Sequence, residues 1–563
     1  MIVRDEQGHV TSHVTRLVQR IERMPARVRY FLSCAAGIVS VLAMPPFHLW
    51  PVLWITLPLL SVLIDTAARM PEAPGRIARW RRYSLGRAAE AGWWFGFGYH
   101  VAGLFWIGEA FLIEAEVFAW LLPFAITLLP AGLGLFTAVA AASSRILPRA
   151  NACARAASLA IGFGVTEWLR GHILTGFPWN VLGTALTAPL PLLQSVAVFG
   201  IYGLTVITVL VFAGPFAILQ DAATTPAGTA GAWRAPWMPA AALALVPLAT
   251  MWMAGAWRLA AAEPPAATPR PIVRLVQLSI PQRERMQAGN QRRIFDQHLT
   301  ASLTAPDGTI DNAVGIDVIV WPEAAMPFVP LSQPVALEAI GTLLPPGTQL
   351  ASGALRVESD ARSDARKVFN SLLVFDGGST AQLAATYDKM HLVPFGEYLP
   401  AQRLLEAIGL QQITRERGGF SAGKGERQTI TLRKLGKVLP LVCYEVVFPI
   451  APSALAERPD LILAITNDGW FGTLTGPRQH YHQARIRAVE MGVPMIRASS
   501  NGISALIDGK GRERGRLELN AVGTLDVRPP PALAPTLYAR LGDTIFLTVM
   551  LVVGGWLAWR GGK

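Results

Sequence analysis

Leu439-Pro440-Leu441-Val442-Cys443-Tyr444-Glu445 decides how the second half of this chain is read. An apolar run, the pattern of a buried strand, stops at a cysteine followed by an aromatic residue and a carboxylate. In open α/β sheets, reactive side chains collect at the carboxyl ends of strands. Two other apolar runs stop in the same way. Val318-Ile319-Val320-Trp321-Pro322 reaches Glu323, and the run from Leu383 to Tyr387 reaches Asp388 and Lys389. A thiol becomes a nucleophile when a base takes its proton or a cation favours the thiolate. Glu323 is the candidate base, Lys389 the candidate stabiliser of thiolate and oxyanion, and Cys443 the candidate nucleophile. Each residue alone has an ordinary reading as core thiol, strand-end carboxylate or loop lysine. Three of them at three strand ends point to chemistry.

Working outward, short apolar runs predict further strands at Val273–Gln277, Gln349–Gly353, Ser371–Phe375, Leu461–Thr466, Met495–Ala498 and Ile503–Ile507. Helices are predicted over 284–303, 334–343, 450–457 and 477–491. Some strands alternate with helices and some do not, which predicts α/β layers with hairpin insertions. The charged stretch Ala354 to Lys367 reads as a surface excursion. This domain spans 268–535. It begins after the proline-rich linker Glu263-Pro264-Pro265-Ala266-Ala267-Thr268-Pro269.

The first half has a different character. The chain is 52% hydrophobic and only 16% charged, where soluble domains carry about 25% charged residues. A bilayer core needs about 20 apolar residues per helix. Candidate spans fall at 30–45, 51–66, 91–112, 117–141, 155–175, 189–219 and 237–259, and another at 543–559. The expected organisation is therefore a membrane domain over 1–262, the α/β domain, and a C-terminal transmembrane helix, about eight spans in all. The first thirty residues lack a short apolar core and a cleavage site, so the first apolar segment reads as an uncleaved anchor. Arginines cluster before the first span, near 68–90 and near 145–155. Cytoplasmic loops are enriched in Lys and Arg, so both termini are expected inside and the α/β domain outside. The net charge of +12 is accounted for by this asymmetry, and no nucleic-acid-binding motif accompanies it.

Of the three cysteines, Cys34 lies in an apolar segment and Cys153 in a basic loop, which argues against a disulfide framework. No zinc-type spacing is present. His480 and His482, two residues apart, share no helix face and read as surface or packing residues.

Trp321-Pro322-Glu323, the block from Tyr387-Asp388-Lys389 through Glu397 to Pro400, and Cys443-Tyr444-Glu445 resemble the three signature blocks of the nitrilase superfamily. Asn467-Asp468-Gly469-Trp470-Phe471-Gly472 follows as it does there. The long lysine block and the seven-plus-one arrangement of helices resemble the apolipoprotein N-acyltransferases in particular, as does Thr175-Gly176-Phe177-Pro178-Trp179. The resemblance implies an αββα sandwich joined to a membrane bundle, in a bacterial inner membrane, with the catalytic domain periplasmic. It implies Glu323 as general base, Lys389 as transition-state stabiliser and Cys443 as nucleophile. Glu397 would be a second glutamate orienting Lys389, with Tyr444 and Glu445 as supporting residues and the backbone N–H after Cys443 as an oxyanion donor. The implied reaction is phospholipid-dependent N-acylation of a diacylglyceryl-cysteine at an apolipoprotein N-terminus, through a Cys443 thioester. Phosphatidylethanolamine is the implied donor; no metal or organic cofactor is needed, and a monomer is expected. The chain departs from the family at Ser279 and Met286, positions that bear on the outer wall of the pocket. Two alternatives stand beside this reading: a membrane-tethered amidase acting on a small amide, and a catalytically inert lipoprotein-binding protein.

Overall fold

A computed structural model describes residues 2–4, 10–66, 84–146, 151–224, 236–265, 269–359, 366–407, 412, 419–425, 427–450 and 455–561. The chain forms two compact units. One comprises Met1–Phe105, Pro123–Ala260 and Asp543–Lys563; the other comprises Trp106–Leu122 and Ala261–Gly542.

The first unit is helical. After an amphipathic α1 (His13–Glu22) come α2 (Ala26–Ser40), α3 (Leu53–Asp65), α4 (Ser84–Leu104), α5 (Leu122–Ser143), α6 (Ala152–His172), α7 (Val196–Thr224) and α8 (Trp237–Ala260). A helix at the C-terminal end, α12 (Thr544–Gly561), completes it. Among the described residues, four segments are long and apolar enough to cross a membrane: Ala26–Ala43, Ala115–Ser143, Val196–Ala223 and Trp237–Ala260. The basic cluster predicted near 68–90 falls mostly on 67–83, outside the described residues, as does Arg149.

Small residues set the close crossing of α2 and α4. A Cβ on Gly37 of α2 would lie 2.0 Å from the Phe95 carbonyl oxygen of α4, and one on Gly98 would lie 2.2 Å from Cys34 O. Only glycine permits that approach, as in other apolar bundles. The buried Arg29 guanidinium is satisfied by the Ile21 and Leu63 carbonyls and the Thr66 hydroxyl, the usual solution for a charge among apolar helices. The over-long apolar run at 189–219 resolves into the short helix Leu190–Leu193 and α7, which is itself interrupted at Gly200 with φ +61°.

The second unit is built on two six-stranded sheets. The first contains β1 (Val273–Gln277), β2 (Val318–Met326), β3 (Gln349–Ser359), β4 (Arg366–Asp376) and β5 (Gln382–Asp388). The second contains β6 (Ile430–Leu432), β7 (Gly436–Val442), β8 (Leu461–Thr466), β9 (Met495–Ser499), β10 (Ser504–Ile507) and β11 (Glu513–Leu517). The last strand, β12 (Gly523–Val527), returns to the first sheet, giving the orders β12-β1-β2-β3-β4-β5 and β11-β10-β9-β8-β7-β6. Each sheet has a parallel trio, β1-β2-β3 or β7-β8-β9, extended by antiparallel strands.

Alternation along the strands divides the cores. Val273, Leu275, Val318 and Val320 face Val438, Val442, Leu461, Leu463 and Ile465 between the sheets. Val276, Ile319 and Trp321 point the other way. There they meet Phe295 of α9 (Gln291–Ser302) and Ala336 and Ile340 of α10 (Pro334–Leu343). On the second sheet, α11 (Gly476–Met491) packs against β9 and is buried along most of its length. Strands covered on both faces carry near-continuous apolar runs, which is why they stood out in the sequence.

Three sequence expectations change. The stretch 354–367 is not simply an excursion: Ala354–Ser359 and Arg366–Lys367 continue the β3–β4 hairpin, although 360–365 lie outside the described residues. The helix predicted at 450–457 falls partly on 451–454, also outside them, and 455–457 are not helical. The span predicted at 91–112 is helical but not one helix: α4 ends at Leu104, a 3₁₀ turn covers Phe105–Gly108 and a short helix Glu109–Leu112 follows. From Trp106 the chain joins the second unit, where Trp106 Nε1 donates to Gln479 Oε1 at 3.1 Å and its ring meets Phe471 at 4.8 Å.

Arg274 fastens the edge of the first sheet. Fully buried, it donates to Asp311 on one side and to Asp526 of β12 on the other, at 2.6–2.8 Å. Removing one partner of a buried ion pair costs about 3–5 kcal/mol. Arg274→Leu should fall near about 3 kcal/mol, because both carboxylates keep some water contact. Thermal unfolding of the detergent-purified chain checks this. The bond from Arg274 holds the Asp311 carboxyl below its ordinary range. Its contribution is therefore complete above about pH 4 and is lost as pH falls through the lower folded value.

Candidate active site

The three strand ends converge. β2 carries Glu323 out of regular pairing. Trp321 pairs with Ser352 and Met326 with Ala354, so five residues of β2 pass against two of β3. Such a bulge re-aims side chains, and Ala324 takes a left-handed φ of +54° within it. Gly353 on the neighbouring strand makes room: a Cβ there would sit 2.6 Å from Glu323 Cα and 2.7 Å from Pro322 O. Both are main-chain atoms and cannot swing aside. Gly353→Ala should displace Glu323 and lower turnover by about tenfold or more, since small misplacements of catalytic groups cost up to about 10²-fold. A kinetic comparison with wild type at matched folded fraction checks it.

Glu323 is buried at 6% exposure. Its Oε1 accepts from Asn370 Nδ2 at 2.8 Å and its Oε2 from the Asn467 backbone N–H at 2.8 Å. Lys389, 1% exposed, follows β5. Its Nζ lies 3.6 Å from Glu323 Oε1 and 3.0 Å from Glu397 Oε1. Glu397 also accepts from Asn370 Nδ2 at 2.9 Å and from the Val393 N–H at 2.8 Å. The ammonium therefore sits between two carboxylates that share one amide donor. Burial alone would lower the Lys389 pKa; Glu397 and Glu323 outweigh it and hold the ammonium charged.

Cys443 ends β7 in a left-handed conformation, φ +50°, and opens a short 3₁₀ turn, Cys443–Val447. Non-glycine residues rarely adopt this region, and where they do the strain is often functional. The thiol is buried. Burial and the Glu323 carboxylate raise its pKa, while Lys389 and a hydrogen bond with Thr466 oppose the rise. Burial and the Glu323 carboxylate thus both favour the thiol over the thiolate at this position.

Glu445 is fully buried and acts as a clamp. Its Oε1 accepts from the Tyr387 hydroxyl at 2.9 Å and from the Met390 and His391 N–H groups at 3.0 and 3.2 Å; its Oε2 accepts from Val442 N–H at 2.8 Å. It ties the lysine-bearing loop to the end of β7. Burial and this carboxylate push the Tyr387 hydroxyl pKa well up, so it stays a donor. Tyr444 is buried edge-on against Phe448 at 5.1 Å and beside His391 at 5.7 Å.

Several neighbours carried no sequence signal of their own. Asn370 lies inside β4 with nothing to mark it. His480, expected at a surface or packing position, is fully buried: Nδ1 lies 2.9 Å from Asp468 Oδ1 and Nε2 3.1 Å from Cys443 O. Arg497 Nη2 reaches Asp468 Oδ2 at 2.7 Å. Burial would raise the Asp468 pKa, but Arg497 and His480 hold it well below the carboxylate range. Ser279 adopts φ +51° and bonds Ser500 O, and Met286 is half-buried. In the 394–410 segment, Phe395 and Leu404 are exposed and Leu399 is buried, while Ile408 and Leu410 fall outside the described residues. Among the described residues, no group of His, Cys, Asp and Glu is arranged to hold a metal ion.

Residues 36–214 match a sequence profile described as the apolipoprotein N-acyltransferase N-terminal domain, and residues 272–528 match one described as carbon-nitrogen hydrolase. An apolipoprotein N-acyltransferase of Rhodopseudomonas palustris is 43% identical over 533 residues, covering 93% of this chain and 95% of its own length. One from Bradyrhizobium diazoefficiens is 42% identical over 93% of this chain and 94% of its own length, and one from Brucella suis is 40% identical over 93% of both. Matches of this identity run through the helical part and the sandwich alike, and the chain belongs to the apolipoprotein N-acyltransferase family.

Proposed function

We propose that this chain performs the N-acylation step of lipoprotein maturation in two half-reactions through Cys443. Glu323 takes the Sγ proton as the sulfur attacks the ester carbonyl carbon of a phospholipid. Lys389 Nζ and the Tyr444 N–H receive the oxyanion. The C–O bond breaks, Glu323 returns its proton to the departing lysophospholipid alkoxide, and the acyl group remains on sulfur. The α-amine of a diacylglyceryl-cysteine then attacks the thioester, Glu323 accepts the amine proton, the C–S bond breaks, and the proton returns to the thiol. Glu397 orients Lys389, Glu445 holds the lysine loop, and the Tyr444 ring forms part of the wall. Phosphatidylethanolamine is the proposed donor and the enzyme acts as a monomer, since all these groups come from one chain.

The single observation that carries this reading is the buried Glu323–Lys389–Glu397 cluster, at 3.6 and 3.0 Å, brought to the same strand ends as a left-handed cysteine. The proposed setting is the inner membrane, with about eight spans, both termini cytoplasmic and the sandwich periplasmic. The folding of Trp106–Leu122 with Ala261–Gly542 as one unit supports this topology. Segments of one compact unit are read as lying on one side of a membrane, and among the described residues four long helices, α5 to α8, lie between them, an even number. An acyl-transfer assay with phosphatidylethanolamine vesicles and a diacylglyceryl peptide, run beside an ammonia-release assay on small amides, tests the reading. Amide product without ammonia is expected; ammonia release without acyl transfer would favour a soluble-amide hydrolase.

A further inference from the structure

His480 has no part in the reaction above, yet it is fully buried and bonded to the nucleophile's own backbone. Its Nε2 lies 3.1 Å from the Cys443 carbonyl oxygen. A carbonyl oxygen can only accept, so Nε2 carries a proton in either charge state of the ring. On the far side Nδ1 lies 2.9 Å from Asp468 Oδ1 and 3.1 Å from Arg497 Nη2, so it donates to the carboxylate when protonated and accepts from the guanidinium when not. Asp468 is in turn held by the Thr466 hydroxyl at 2.9 Å and by Arg497. Arg497 also donates to the Ile503 carbonyl oxygen. Phe471 packs edge-on against the imidazole at 5.3 Å, and Trp106 packs on Phe471. The ring has little freedom to turn.

The Cys443 carbonyl belongs to the peptide whose other end is the Tyr444 N–H. A trans peptide is planar, with its C=O and N–H pointing in opposite directions. Fixing the carbonyl therefore fixes the direction of the N–H. A hydrogen bond to the carbonyl also polarises the peptide and strengthens the N–H as a donor. The left-handed φ of Cys443 gives the chain a reason to need an outside tether, since nothing intrinsic to a cysteine favours that conformation.

We propose that His480, held by Asp468 and Arg497, is a positioning residue that aims and polarises the Cys443–Tyr444 peptide, so that its N–H meets the oxyanion of each tetrahedral intermediate. The inference rests on the thioester reading above. It assigns His480 to oxyanion stabilisation and not to activation of the thiol.

The test separates those two roles. His480→Phe keeps an aromatic ring against Phe471 and removes the donor. Two rates are read on the full-length, detergent-purified chain: thioester formation from phosphatidylethanolamine, and alkylation of the Cys443 peptide by iodoacetamide. Alkylation forms no oxyanion. Direct loss of an oxyanion donor costs about 10²–10³-fold, so misaiming one should slow thioester formation by about 10–100-fold. Alkylation should stay within about threefold of wild type, and the half-saturating donor concentration should change little, as expected for an interaction made in the transition state. His480→Gln, which keeps an amide donor, should recover part of the loss. If His480→Phe does not fold, His480→Asn, too short to reach the carbonyl, takes its place. Undiminished thioester formation, or alkylation falling in parallel with it, would overturn the proposal. Absence of thioester in the wild type would instead overturn the reading on which it rests.

Discussion

Glu323→Gln is expected to lower thioester formation by about 10³-fold, the middle of the range for loss of a general base. The substitution preserves shape and burial but removes the proposed base for the Cys443 proton. It also disturbs a satisfied pair of acceptors: Oε1 and Oε2 now receive bonds from Asn370 and from the Asn467 N–H. A glutamine amide turns one of those acceptors into a donor facing a donor. A stability loss of about 1–3 kcal/mol should accompany the rate loss, the cost of an unsatisfied buried polar group. Stopped-time mass spectrometry gives the rate and thermal unfolding gives the stability. A variant within tenfold of wild-type rate would remove Glu323 from the base role.

Lys389→Met should have the second large effect, and for a different reason. The ammonium is buried between Glu323 and Glu397. Without it two carboxylates share a desolvated site, and one must take up a proton. Breaking a buried ion pair from one side costs about 3–5 kcal/mol, and the oxyanion loses a cation as well. The double variant Lys389→Met/Glu397→Gln should regain much of the stability, because the remaining carboxylate no longer faces another charge. It should regain none of the activity. Recovery of both together would mean that Lys389 serves only to hold the fold.

Much of this site was legible in the chain because strands buried on both faces announce themselves as apolar runs, and a polar residue at the end of such a run is conspicuous. That is how Glu323, Lys389 and Cys443 stood out. Glu445 was visible as a charged residue two positions past the cysteine, although its use as a clamp on Met390 and His391 depends on a loop whose path no local pattern encodes. Asn370 was invisible. It sits mid-strand among apolar neighbours, and its worth comes from facing two glutamates far apart in sequence. For His480 the packing half of the reading holds and the surface half does not, for a physical reason. On a surface helix its spacing to His482 would matter, but α11 is buried along most of its length, so helical periodicity carried no information about which side met the site. The bundle was legible from its apolar runs, except where the chain leaves it. Nothing in the hydropathy of 91–112 marks Trp106 as the point where the second unit begins; its indole is satisfied by Gln479, a residue far along the chain.

The most direct test of the account is intact-protein mass spectrometry of the detergent-purified chain after incubation with phosphatidylethanolamine. The account predicts an adduct of acyl mass, released by neutral hydroxylamine and absent from Cys443→Ala. A folded wild-type chain that acquires no such adduct from phosphatidylethanolamine or other phospholipids, or a Cys443→Ala chain that acquires it equally, would contradict the account.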